Sequence, residues 1–576
     1  MKRISSIKRT VFAGLTALTL ALVNIPPAVA AELALTDVPL FIDLAIEPNV
    51  VVSLDDSGSM QRCFILDEAI SRSSVEDEKG MTAYQVNALA YNPNIKYEVP
   101  VDGNGVSLGM PSFTLAWEDG FDPARVGNEK ELDQVFAPCW DSLYDYISTP
   151  LGAQYAYYHT FSGDPTNDSD VDNQSNYTKV VISAAEEQNF AIWFSYYRSR
   201  FITMKSTAGR AFVSSSLGGS NAGDGRIRVA FQGLWGKGGA KGNRKDINIM
   251  KLFEGQARVD FFDWLYTKQR SGGTPLRYSV HKAGLYYSNK RIASATGVTP
   301  VQPINKPEDS PWAFEPGVTK DPEFTCRQAF HVMLSDGSWN NDEGVSGDID
   351  GNNATYPEAL DTAGTLTTYT QFPPYEDSDS ETLADNAFEY WVNDLRPDLA
   401  NDVPAYMPDP TPHPVTGNVE DNPKNDPATW QHMVNFMVGF GVDGDMAVPG
   451  DYDALVDGSK QWTGDKVDDM WHAAMNSRGE YLSAKNPDDL VNAFTTALNA
   501  VLARTGSGSA VALNSGSLEA GSRLFQGRFK SGTWTGQVLA FDLNASTGAV
   551  ASSESWDAAP LLTARVQGGG GSGWDT

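Results

Sequence analysis

The sequence predicts an α/β fold: a doubly wound, mostly parallel sheet with long insertions, followed by the beginning of an all-β region. Three observations carry this prediction. The runs "PNVVVSL" (48–54), "FHVMLSDG" (330–337) and "NFMVGFGV" (435–442) are short and continuously apolar, as strands covered on both faces are. Segments with a helical period separate them, which favours parallel strands joined by crossovers. After about Arg504 the helical period stops, and short strand-like pieces alternate with Gly and Asn turns.

The chain has 576 residues, 41% of them hydrophobic, which is enough for a sizeable core and for more than one domain. Lys2, Arg3, Lys8 and Arg9 precede an uncharged, largely apolar run at 10–23 and the small-residue triplet "AVA" at 28–30. This succession predicts a secretory signal peptide over residues 1–30, hence export. No later apolar run approaches the roughly 20 residues of a membrane span, so none is expected. With 43 basic against 73 acidic residues the formal charge is -30, which disfavours nucleic acid and anionic membrane and favours cations and basic partners.

Within the α/β region, predicted to span residues 36–503, the stretch from Gln61 to about Glu186 reads as a long insertion. Residues 187–207 predict one helix, with Phe190, Phe194, Tyr197, Phe201 and Met204 on its core face. "RIRVAFQGL" predicts a strand and "VDFFDWLY" a helical or buried connection. In "SGGTPLRYSVHKAGL", Gly272 and Gly273 make a turn, Pro275 suits a first helical turn, and Leu276, Val280 and Ala283 face the sheet. The roughly 90 residues between the last two apolar runs are rich in Pro, Asp and Asn and read as irregular surface insertions. Asn486 is placed to cap a helix with Pro487 at its first position, buried through Leu490, Phe494, Ala497 and Val501. Residues 504–567 form the β region, and 568–576, with "GGGGSGW", read either as a flexible end or as a break before a completed core.

Loops at the carboxyl ends of strands share one crevice in such a sheet. Asp55, Ser57 and Ser59 follow the first strand as D-x-S-x-S, Thr274 sits in the glycine turn, and Asp336 follows a third segment. Together they predict an oxygen-lined divalent-cation site. The hard, octahedral preference of Mg²⁺ suits hydroxyl, carboxylate and water oxygens; Ca²⁺ and Mn²⁺ are compatible. Because few of the ligands carry charge, the cation stays electrophilic, and an acidic group on a protein or surface ligand can complete its coordination. No histidine, third carboxylate or Cys/His pair is placed beside the site for proton transfer, so a binding module is expected rather than an enzyme. The competing reading is a metal-assisted hydrolase with Asp56 or another insertion-loop acid as base.

Other acidic groups read as solvated turns, with Ca²⁺ binding as the alternative: Asp164, Asp168, Asp170 and Asp172 in one loop, Asp348 and Asp350 in "SGDIDGNN", and Asp443 and Asp445 in "VDGDM". Cys63, Cys139 and Cys326 allow three disulfide pairings. The arginines of "YYRSR" read as packing or a local salt bridge.

"LDDSGSM", "SGGTPL" and "FHVMLSDGSWN", in this order, resemble a von Willebrand factor A domain. With "YNPNIKY", "NFAIWFSYYRSRFITMKS", "DDMWHAAMNSRGEY" and "FQGRFKSGTWTGQVLAFDL", the chain resembles more narrowly the N-terminal region of the PilY-type type IV pilus assembly and tip-associated adhesin family, over most of residues 36–560. The resemblance implies a factor in pilus biogenesis or display and surface adhesion, with pilins or pilus-associated proteins as partners. It implies the same five metal residues. Ser335 stands where related domains often have threonine, and a C-terminal β-propeller common in the family would only begin here.

Overall fold

The computed structural model describes residues 46–65, 78–127, 129–137, 155–214, 217, 225–234, 247–270, 272–292, 301–303, 309–313, 323–337, 339–340, 344–361, 363–505, 511–513, 523–530, 535–542 and 555–557. The signal-peptide prediction and the predicted glycine-rich end lie outside them. The central sheet has six strands: β1 (Asn49–Leu54), β2 (Arg228–Gly233), β3 (Lys251–Leu252), β4 (Ala329–Ser335), β5 (Val434–Phe440) and β6 (Tyr481–Ala484). Their spatial order is β6-β5-β4-β1-β2-β3, and every pairing is parallel except the short β2–β3 edge. The order reverses between β1 and β4, so the loops after those two strands open into one crevice.

The sequence alternates its burden between two faces. Val50, Val52 and Leu54 of β1, with Phe330, Val332 and Leu334 of β4 and Val434, Phe436 and Val438 of β5, join one buried cluster. It is covered by α1 (Glu187–Tyr196), α2 (Arg200–Phe212), α3 (Gly255–Thr267) and α7 (Pro487–Thr505). Val51, Ala230, Met333 and Met437 turn to the other face, against α4 (Leu276–Tyr287), α5 (Leu383–Val392) and α6 (Lys466–Asn476). Burying each large aliphatic side chain contributes about 1.5–3 kcal/mol, so both layers hold the sheet firmly.

Three predicted elements change in detail. The helix expected over 187–207 is two, broken at 197–199. Carbonyls freed at the break are satisfied by side chains: the Thr203 hydroxyl donates to the Tyr197 carbonyl at 2.6 Å and Ser206 to that of Tyr196 at 2.5 Å. The apolar stripe continues across it, with Phe190, Phe194, Tyr197, Phe201 and Met204 all buried. Pro275 is the N-cap of α4 rather than a first-turn residue. The stretch between β4 and β5 is more than irregular surface, since it contains α5 and a core of its own around Tyr369, Phe388, Trp391 and Trp430. As predicted, the Asn486 side chain accepts from the Asp488 and Asp489 amides at the start of α7.

The described strands after residue 510 belong to a second compact unit. Val511–Leu513, Arg523–Lys530, Thr535–Asp542 and Trp556–Asp557 form one four-stranded sheet in that order. Among the described residues it does not close into a propeller or barrel.

Candidate functional site

β1 ends at Leu54 and β4 at Ser335, so Asp55 and Asp336 emerge side by side from neighbouring parallel strands. The Asp55 carboxylate is fully buried. Its Oδ1 accepts from the Ser57 amide at 2.8 Å, and its Oδ2 from the Ser335 hydroxyl at 2.7 Å. Serine in place of threonine before Asp336 therefore keeps the hydroxyl that fixes Asp55. The hydroxyls of Ser57 and Ser59 are hydrogen-bonded at 2.9 Å, and Ser59 donates to Asp336 Oδ1 at 2.8 Å. A continuous chain of oxygens thus runs from the first strand's loop to the third segment's aspartate.

Thr274 arrives from the turn before α4. The Gly58 amide donates to the Gly272 carbonyl at 2.9 Å, joining the two loops directly. Gly272 has φ +72, a left-handed conformation suited to glycine. Asn340 then clamps the turn to the loop after β4: the Thr274 amide donates to Asn340 Oδ1 at 2.8 Å, and the Asn340 amide to the Thr274 carbonyl at 3.0 Å. A β-carbon at Gly273 would collide with that Asn340 oxygen. All three loops named by the sequence meet in one place, and Thr274 and Asp336 are each 7% exposed.

Two charged residues were not assigned to this place by the sequence. Arg200, at the start of α2, places Nη1 2.9 Å from Asp336 Oδ2, with both side chains buried. Its Nε donates to the Phe64 carbonyl at 2.8 Å. Of the two arginines of "YYRSR", Arg200 is thus a salt-bridge partner, to an aspartate distant in sequence rather than a local one, while Arg198 packs over the Phe194 ring. Lys268, just after α3, pairs with Asp56 Oδ2 at 2.7 Å, while Asp56 Oδ1 accepts from the Leu234 amide at 3.1 Å. Held this way, Asp56 is a poor general base. Burial, and then the nearby Asp336 charge, push the Asp55 carboxyl up to about 7 against the hydrogen bonds from Ser335 and Ser57. The donor set is of the kind a small hard cation takes, two carboxylates and neighbouring hydroxyls held away from solvent, and among the described residues no cationic side chain pairs with Asp55 as Arg200 does with Asp336.

A second acidic group was read from sequence as a turn. Asp348, Asp350 and Asp385 each bring a carboxylate oxygen within 4.8 Å of the others, a buried cluster able to chelate a divalent cation. Asp385 belongs to the capping box of α5, which "TLAD" spells at the sequence level. Burial, more than the neighbouring Asp385 and Asp377 charges, pushes the Asp350 carboxyl up to about 8, although His472 opposes this. Of the other acidic groups, Asp168, Asp170 and Asp172 lie in a five-residue helix rather than an open loop, Asp164 and Asp170 accept from backbone amides, and Asp443 pairs with Lys485 at 2.6 Å. Cys63 is disulfide-bonded and Cys326 is a free thiol, while position 139 lies outside the described residues. No described helix is long and apolar enough to cross a membrane.

No protein-family profile matches the chain. It is 33% identical over 577 aligned residues, 94% of its length, to the type IV pilus biogenesis factor PilY1 of Pseudomonas aeruginosa strain PAO1. It is equally similar, 33% over 582, to that of strain PAK, and 31% identical over 574 to that of strain UCBPP-PA14. The chain spans 46% of the PAO1 and PAK relatives, just under half their length. Among solved structures, the pilus adhesin SpaC from Lactobacillus rhamnosus GG in its open conformation aligns with 53% of this chain and 28% of its own, at 12% identity and a TM-score of 0.22.

Proposed function

We propose, on the premise that this chain is homologous to the PilY1 family over most of its length, that it is an exported, noncatalytic type IV pilus biogenesis factor and adhesin. Asp55, Ser57, Ser59, Thr274 and Asp336 hold a divalent cation, with Mg²⁺ the preferred ion and Ca²⁺ or Mn²⁺ alternatives. An acidic side chain on a pilin, a pilus-associated protein or a surface ligand completes the coordination. The observation that supports this most is the unbroken hydrogen-bond chain from Asp55 through Ser335, and from Ser57 through Ser59 to Asp336. Hydroxyls already converge there, so binding requires little reordering of the loops. With Arg200 engaging one Asp336 oxygen, Asp336 contributes its other oxygen or acts through water, as aspartates around Mg²⁺ commonly do.

Calorimetry of the chain with Mg²⁺, followed by partner binding with and without chelator, tests both levels. The double replacement Ser57→Ala, Thr274→Ala should abolish Mg²⁺ binding. Mg²⁺ binding that survives it removes the coordination assignment, and partner binding that survives chelation removes the cation's direct role.

A further inference from the structure

Asp350 lies outside the site just described and carries an anomaly. The residue is wholly buried, yet its Oδ1 has no hydrogen-bond partner. Its other oxygen accepts from Asn476 Nδ2 of α6 at 2.6 Å, and His472 Nε2 stands 3.8 Å from that same oxygen. A bare carboxylate oxygen in a protein interior loses its hydration without compensation, a cost of several kcal/mol unless something positive meets it. Asp348 and Asp385 each bring a carboxylate oxygen within 4.8 Å of a carboxylate oxygen of Asp350. Ca²⁺ takes oxygens at roughly 2.3–2.6 Å, so the ligands of one ion stand up to about 5.2 Å apart, a range that three oxygens within 4.8 Å of one another satisfy.

The local backbone is shaped around this point. The Gly351 amide donates to Asp348 Oδ1 at 2.6 Å, and the Asp348 carboxylate lies where any Gly351 β-carbon would have to be. The Asp350 carbonyl is held by the Tyr369 hydroxyl at 2.7 Å and that of Gly351 by Gln371 Nε2 at 2.6 Å, which fixes the loop from the insertion's own core. Asp385 is fixed from the other side, its Oδ2 accepting from the Thr382 amide and hydroxyl at 2.9 Å. Its Oδ1 accepts from the Ile349 amide at 2.5 Å and only weakly from the Asp350 amide at 3.5 Å, so Oδ1 is the oxygen with a lone pair for a cation.

We infer that Asp348, Asp350 and Asp385 form a Ca²⁺ site that clamps the 348–352 loop to the N-terminus of α5 and, through Asn476, to α6. Thr382 and His472 also line a cleft of about 700 Å³ with Trp339 and Trp462, so the ion would set one of its walls. The site needs no residue of the Asp55 loop and stands or falls separately from the proposed function.

The test titrates Ca²⁺ alone into the full chain carrying Ser57→Ala, Thr274→Ala, which silences the first site. One Ca²⁺ should still bind, and adding Asp348→Asn, Asp350→Asn should abolish it. No Ca²⁺ binding in the first variant, or unchanged binding in the second, overturns the proposal. Hydrogen exchange on the unaltered chain avoids dependence on variant folding. Ca²⁺ should slow the amides of Ile349, Asp350, Gly351 and Asp385, and unchanged protection there would equally overturn it.

Discussion

At the Asp55 loop the carboxylates are met by hydroxyls, amides and a buried guanidinium, whereas at Asp348, Asp350 and Asp385 acidic oxygens face one another and one of them meets nothing. Both places are buried and both combine chain segments distant in sequence. They differ in where the positive charge comes from. Asp336 has its own cation in Arg200; the second cluster has the side of an imidazole at 3.8 Å. On the two proposals, the first place would stay folded without metal and exchange its ion, while the second would draw its charge balance from one. That contrast gives one group of experiments with opposite expected signs.

The largest effect is expected from removing a carboxylate at each place in the presence of chelator. Asp336→Ala strands the Arg200 guanidinium in the interior and should cost about 3–5 kcal/mol by chemical denaturation. Asp350→Asn in chelator, at a pH above about 8 where that carboxyl is ionised, removes a poorly compensated charge and should leave stability unchanged or raised. With Ca²⁺ added to chains that both carry Ser57→Ala, Thr274→Ala, the one keeping Asp350 should gain stability and the one with Asp350→Asn should not. Equal destabilisation by the two replacements in chelator would erase the distinction.

A buried polar array with no carboxylate calibrates the other two. Gln232, Ser53, His331 and Asn435 bridge four adjacent strands, with Ser53 Oγ and His331 Nε2 at 2.7 Å and His331 Nδ1 and Asn435 Oδ1 at 2.8 Å. Burial, aided by the Lys282 charge, lowers the His331 pKa to about 4 despite Asn435. The unfolded chain therefore takes up a proton near pH 6.5 that the folded chain refuses. The stability from neutral His331 is complete above that pH and is lost as pH falls toward 4. Between pH 7 and 4.5 the unaltered chain should lose about 2–3 kcal/mol relative to His331→Gln, read from paired denaturation curves. An identical pH dependence in the two chains would show that the imidazole takes up its proton without unfolding.

The sheet and the first site were legible because their signals are local. An apolar run ending in D-x-S-x-S, or in Ser335 and Asp336, states both the strand and what stands at its mouth. Arg200 was not legible as a site residue: it lies in an aromatic, amphipathic stretch whose period predicts packing, and its partner is 136 positions away. The break between α1 and α2 was hidden for a similar reason, since the apolar stripe runs through it and the repair comes from Thr203 and Ser206. The insertion's core was masked by its Pro, Asp and Asn content, although the capping box at Thr382 and Asp385 could have located α5. Asp348 and Asp350 read as a turn because the third carboxylate comes from that unrecognised helix.

Replacing Arg200 sharpens the comparison at the level of affinity. Arg200→Gln frees Asp336 Oδ2 and removes a positive charge that opposes a cation at the same carboxylate. At the effective dielectric of a partly relaxed interior, this should tighten Mg²⁺ binding by about tenfold or more, measured by calorimetry. Ca²⁺ binding at the second cluster should not change. Unaltered Mg²⁺ affinity would mean that guanidinium and cation do not compete for Asp336.

The smallest expected effect tests how the second cluster is supported. Thr382→Ala removes both the hydroxyl bond to the Asp385 amide at 3.0 Å and the one to its carboxylate at 2.9 Å. As a lost N-cap it should cost about 1 kcal/mol in chelator. In Ca²⁺ the cost should be larger, because the replacement also loosens a ligand that the ion holds: the unaltered chain gains from the ion, and the variant gains less. A cap that served only α5 would give the same loss with and without Ca²⁺. The difference between the two conditions therefore separates a helix terminus that merely begins near three carboxylates from one built to present the third of them.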